Sequence, residues 1–93
     1  MTLVQIVRIP AEGVAAFQEF ETEVLPLLAA YGARLERRLR AHDGRIEIHI
    51  MSFPSHHALD RYRADPARMA ALPLLEASGA QTELIEVADV SPE

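Results

Sequence analysis

The 93-residue sequence has no cysteine, no lysine, no tryptophan and no asparagine. Each absence removes a class of chemistry. Without cysteine there is no thiolate nucleophile, disulfide, zinc–thiolate centre or iron–sulfur cluster. Without lysine there is no Schiff base or amine nucleophile. Without asparagine there is no acceptor for an N-linked glycan. All nine basic residues are arginine, set against 14 acidic ones, for a net charge of −5. That acidic balance argues against nucleic acid as a partner, which calls for a basic footprint. No run of apolar residues approaches the ~20 needed to cross a membrane. The start of the sequence lacks the basic and cleavable features of a signal peptide, so a cytoplasmic setting is expected.

What is present is ordinary for one small globular domain spanning residues 1–93: 49% hydrophobic and 25% charged residues. A chain this short buries only roughly 60–65% of its unfolded surface. Association with a second copy is the expected reinforcement.

The periodicities give six segments in the order β-α-β-β-α-β. Leu3 to Ile9 is rich in β-branched residues and stops at Pro10. Val14, Phe17, Phe20, Val24, Leu28 and Tyr31 recur at helical steps, with Glu19, Glu21 and Glu23 placed largely off that stripe. Pro26 predicts a kink and Gly32 a helix end. Ala33 to Ala41 and Arg45 to Ser52 alternate around Asp43-Gly44, which predicts a two-residue hairpin with both turn residues at positive φ. Ser55 predicts a helix start, Asp65-Pro66 a restart, Pro73 a break and Gly79 an end. Thr82 to Val90 is the last strand. This order predicts an α+β, ferredoxin-like fold: an antiparallel four-strand sheet with helices on one face. The other face is expected to pack on a second copy, giving a homodimeric α+β barrel.

Counting outward from Asp43-Gly44 pairs Arg40 with Glu47, Leu39 with Ile48, Arg38 with His49, and Glu36 with Met51. Leu39, Ala41, Ile46 and Ile48 are expected under the helices. Arg38, Arg40, Glu47 and His49 are expected on the uncovered face, where a partner subunit would enclose them. Guanidinium, carboxylate and imidazole groups within cross-strand reach suit an anionic or carbonyl-bearing ligand. His49 is the candidate base, Arg38 the oxyanion stabiliser and Glu47 the group that orients them. Arg40, Glu36 and Tyr62 are candidate ligand contacts. Structural alternatives stand beside these roles. Opposed charges across a hairpin are common, and Tyr62 lies on an apolar stripe. Arg38 disfavours and Glu47 favours a charged His49, and the pattern does not decide between them.

Other motifs are poorer. His56 and His57 are adjacent and point about 100° apart on a helix, so no metal site is expected. The Arg34–Arg40 strip is divided between two faces and interrupted by Glu36. No glycine-rich phosphate loop or serine elbow occurs.

Phe17 and Phe20, Pro26, Tyr31-Gly32, Phe53-Pro54-Ser55, Asp65-Pro66, Leu72-Pro73-Leu74 and Ala77-Ser78 together resemble the small dimeric α+β barrel superfamily. Within it the chain looks most like a bacterial family of unknown function related to antibiotic-biosynthesis monooxygenase-like proteins. The likeness covers nearly the whole chain. It departs in the direct Asp43-Gly44 hairpin and in having Tyr62 where an aromatic, often tryptophan, is usual. The resemblance implies a homodimer, a central cavity and reactions without a cofactor, such as monooxygenation or isomerisation of a small carbonyl or aromatic compound. It transfers no catalytic residues. A non-catalytic module for a small-molecule ligand, or a purely structural dimerisation domain, is the alternative.

Overall fold

The computed structural model describes residues 1–92. Four strands, β1 (Thr2–Arg8), β2 (Arg34–Arg40), β3 (Ile46–Ser52) and β4 (Gln81–Val87), form one sheet in the order β2-β3-β1-β4. All three pairings are antiparallel. Helices α1 (Val14–Val24), α2 (His56–Arg63) and α3 (Pro66–Ser78) make the second layer. This is the ferredoxin-like topology, and its thinnest dimension is only 16 Å.

Local chemistry places most boundaries. At Pro26 the chain leaves α1 and continues as a 3-10 helix, Leu25–Tyr31, closed by left-handed Gly32 at φ 70°. The Ser55 hydroxyl accepts from the Ala58 amide to open α2. Asp65 accepts from the Ala67 and Arg68 amides to open α3. Pro73 does not break α3. The carbonyl that loses its intrahelical partner belongs to Met69, on the exposed side of the helix. Gly13 sits where the start of α1 crosses the end of α3; a β-carbon there would lie 1.8 Å from the Ser78 carbonyl oxygen.

The β2–β3 turn differs from expectation. Only Gly44 has positive φ, at 76°, and Asp43 does not. Gly44 N–H donates to the Ala41 carbonyl, and the Asp43 carboxylate accepts from the Arg45 amide. A longer loop thus closes the same register, with Ala41 N–H bonded to the Ile46 carbonyl. Arg40↔Glu47, Leu39↔Ile48 and Arg38↔His49 face each other as expected. Beyond Arg37 a bulge intervenes, so Leu35, not Glu36, opposes Met51.

The faces are the reverse of those read from the sequence. Leu3 and Val7 of β1 point into the core, and their partners on β3 are Met51 and Glu47. Glu47 and His49 therefore lie beneath the helices. Ile46, Ile48 and Ile50 lie on the open face with Val4, Ile6, Leu39 and Ile85. Apolar residues on both faces of β1 and β3's own alternation left the choice to the neighbouring layer. A carboxylate supplied by α1 settles it. The core divides into two groups. Leu3, Leu28, Ala33, Met51, Phe53 and Tyr62 form one. Val7, Ile9, Phe17, Phe20, Val24 and Ala71 form the other.

Candidate functional site

Five charged or chargeable side chains meet between α1 and the β2–β3 hairpin. Glu47 is at the centre, fully buried. Its Oε1 accepts from Arg38 Nε at 2.9 Å and from His49 Nε2 at 2.8 Å. Its Oε2 accepts from Arg40 Nε at 2.9 Å. The fifth member is Glu21 of α1, 2% exposed, whose Oε2 lies 2.9 Å from His49 Nε2. Arg38 Nη2 and Arg40 Nη2 approach Glu21 Oε1 to 2.9 and 3.6 Å, and that oxygen accepts no aligned hydrogen bond. The other imidazole nitrogen, Nδ1, is 3.3 Å from Gln5 Oε1.

Both His49 nitrogens thus face acceptors, which is the environment of an imidazolium. Burial alone pulls its pKa down, but Glu21 and Glu47 outweigh burial and hold it above the ordinary 6.5. Glu47 is also penalised by burial. Hydrogen bonds from Glu21, His49, Arg38 and Arg40 overcome this and bring it down to about 2. Glu21 moves the other way: burial first, then the neighbouring Glu47, push it above the usual carboxylate value, against His49 and Arg38. The two carboxyl groups are driven apart, as two acids sharing one site must be.

These shifts set a pH signature. Glu47 contributes stability that is complete above pH 4.5 and lost as the pH falls towards 2. Glu21 and His49 contribute stability that is complete below 4.5 and 6.5 respectively and lost as the pH rises through their folded values. The cluster is therefore most stabilising near pH 4.5. Thermal melts of wild type and Glu21→Gln should show the variant gaining relative to wild type as the pH rises from 4.5. A gap constant from pH 4 to 8 refutes the assignment.

Donor atoms of Glu21, Glu47 and His49 lie within 4.8 Å of one another, a spacing a metal ion accepts. Both Glu47 oxygens already accept from guanidinium and imidazole donors, and two guanidinium cations flank Glu21 Oε1, so the donor set does not suit a divalent cation.

A cavity of about 90 Å³ adjoins the cluster, between the two core groups. Phe17, Phe20, Met51, Phe53, Leu59 and Leu84 make most of its wall, and Glu21, His49, Gln5, Tyr62, Arg63 and Arg68 add polar groups. Among the residues expected at a site, His49 and Tyr62 line this cavity. Glu47 stands directly behind His49. Arg38 and Arg40, with side chains 40% exposed, reach the cluster from the sheet edge and do not line the cavity. Glu36 is elsewhere: the bulge turns it to solvent, where it pairs with Arg34 and accepts from Ser52 Oγ. The Tyr62 hydroxyl donates to the Val24 carbonyl. The residue missed in the sequence is Glu21. Its signal was its position: 17, 20, 21 and 24 are one helical stripe, and Glu21 is its single charged member.

No family model matches the sequence, and no curated protein matches it. The fold is shared with solved structures. One is described as an antibiotic biosynthesis monooxygenase, with TM-score 0.71 and 17% identity, covering 96% of this chain and 100% of that one. An uncharacterised NIPSNAP domain protein from Burkholderia xenovorans gives 0.68 and 20%, with full coverage of both chains. SnoaB, a cofactor-independent oxygenase from Streptomyces nogalater, gives 0.65 and 22%, covering 99% and 96%. At these identities the likeness is one of fold. Among the described residues no helix is long and apolar enough to cross a membrane.

Proposed function

We propose that the chain is a small cofactor-independent enzyme that moves a proton on a compact carbonyl compound held in the cavity. The observation that carries this reading is the Glu21 carboxyl 2.9 Å from the His49 imidazole on one wall of the cavity, both with pKa values held above their ordinary ones. In the proposed step the C–H bond next to the carbonyl breaks. The proton goes to Glu21 and the electron pair to the carbonyl oxygen, where the positive charge of His49 stabilises the enolate. Glu47 holds His49 charged and in place, and Arg38 and Arg40 hold Glu47. This reassigns the base from His49, which has no nitrogen free to receive a proton, to Glu21. Returning the proton to another carbon gives an isomerase. Adding dioxygen to the carbanion, with a proton from the cluster to the peroxide, gives an oxygenase. The fold shared with a cofactor-independent oxygenase supports that second outcome.

The volume limits the substrate. A cavity of about 90 Å³ suits a small ligand and excludes a fused aromatic one. The test is proton NMR in D₂O, following loss of the α-protons of butanone and 2-oxobutyrate. The protein should accelerate exchange beyond an equal concentration of free imidazole and acetate. No acceleration for either compound retires the enzymatic reading, and binding without exchange points to a ligand-binding module.

The same proposal includes a homodimer packed sheet to sheet. Across the open face run the rows Leu39–Ile48–Ile6 and Ile50–Val4–Ile85, rimmed by Arg8, Arg34, Arg37 and Glu83. An apolar centre with a charged rim is the anatomy of an interface. The cavity lies inside one protomer, so a second copy covers the sheet without walling the site. Light scattering should give a dimer for wild type at micromolar concentration and a monomer for Ile48→Asp. A wild-type monomer removes this part of the proposal.

A further inference from the structure

Arg68 is the one cavity-lining guanidinium whose buried donor lacks a partner. Its Nε is inaccessible to water and, among the described residues, meets no acceptor. The guanidinium makes a long bond from Nη1 to the Arg63 carbonyl at 3.5 Å, and it also acts on the Tyr62 hydroxyl, where it opposes the rise in pKa that burial causes. The nearest acid along the chain, Asp65, is committed to Tyr31 and to the amides of Ala67 and Arg68. Two rings hold the guanidinium: its carbon lies 5.3 Å from the centroid of Tyr62 and 6.0 Å from that of Phe20. Arg38 and Arg40, by contrast, each bind Glu47.

Nε is closed to a ligand as it is to water, so a ligand meets this guanidinium through its Nη groups, and the two rings hold those in a fixed direction. Of the acidic residues only Glu21 lines the cavity, and its carboxyl is taken up by His49. Arg63 and Arg68 add two positive charges to the same walls. We infer that the ligand carries a carboxylate, received by Arg68, with its short carbon chain against Phe17, Phe20 and Phe53. The inference rests on the cavity being a substrate site. It narrows the substrate to small oxo acids whose carbonyl lies between Arg68 and the Glu21–His49 pair.

Butyrate and butyramide share shape and differ in charge, which makes them the probes. Titrations followed by amide chemical shifts should show butyrate bound about tenfold or more tightly than butyramide by wild type. Arg68→Met should abolish the preference, and Arg68→Lys should restore part of it. Equal affinity for the two probes, binding of neither, or a preference that survives in Arg68→Met overturns the inference. If Arg68→Met does not fold, the comparison on wild type decides. Proton exchange separates the two claims. Equal acceleration for butanone and 2-oxobutyrate overturns the carboxylate anchor and leaves the catalytic reading standing. Arg68-dependent butyrate binding without exchange does the reverse.

Discussion

Glu47→Ala should destabilise the chain by about 3–5 kcal/mol, the usual effect of removing one partner from a buried ionic network. The carboxylate takes hydrogen bonds from Arg38, Arg40 and His49. Without it a buried imidazolium keeps only Glu21 and Gln5, and the two guanidinium groups keep only Glu21 Oε1, at 2.9 and 3.6 Å. At about 4–8 °C per kcal/mol for a domain of this length, the melting temperature falls by roughly 12–40 °C. Urea unfolding of the variant measures the loss. Should Glu47→Ala not fold, Glu47→Gln keeps the volume and an acceptor oxygen, and a smaller loss is expected from it. A loss below 1 kcal/mol in both variants would show that the cluster does not act as a unit.

Glu21→Gln should lower proton exchange by about 10²–10⁴-fold, the range for loss of a positioned general base. Its stability at pH 7 should match or exceed that of wild type, because Gln is neutral without burying a charge. That combination separates a base from a structural prop: a prop would lose stability and activity together. His49→Gln should lose both, since His49 also anchors the two carboxylates. Exchange retained in Glu21→Gln but lost in His49→Gln would return the base to the imidazole.

Much of this arrangement is written locally. The register of β2 on β3, the caps at Ser55, Asp65, Gly32 and Gly79, and the aromatic stripe of α1 all follow from short-range spacing, and the structure has them. The turn could differ in type and still close the same register. What local spacing does not fix is which face of the hairpin meets the helices. Three isoleucines alternate with Glu47 and His49, and the usual preference puts the isoleucines inside. That preference fails here because the charges arrive already paired with one another. Two carboxylates answer two guanidinium groups and an imidazole, and one carboxylate comes from a helix distant in sequence. The Glu36 bulge is likewise invisible to strict alternation. It is what lets Leu35 join the core while Arg38 and Arg40 reach Glu47 from the same strand.

The strand order also governs the sequence of events as the chain is made. β1 emerges first yet lies inside the sheet, where Thr2 pairs with Ser52 on one side and with Val87 on the other. Its second ladder closes only after nearly the whole chain exists. Such long-range pairing slows folding, because loop-closure entropy is lost before any contact repays it. Until then an apolar strand with an open edge waits in solution. The nascent protein is thus most prone to aggregate in the interval between the completion of β3 and the arrival of β4.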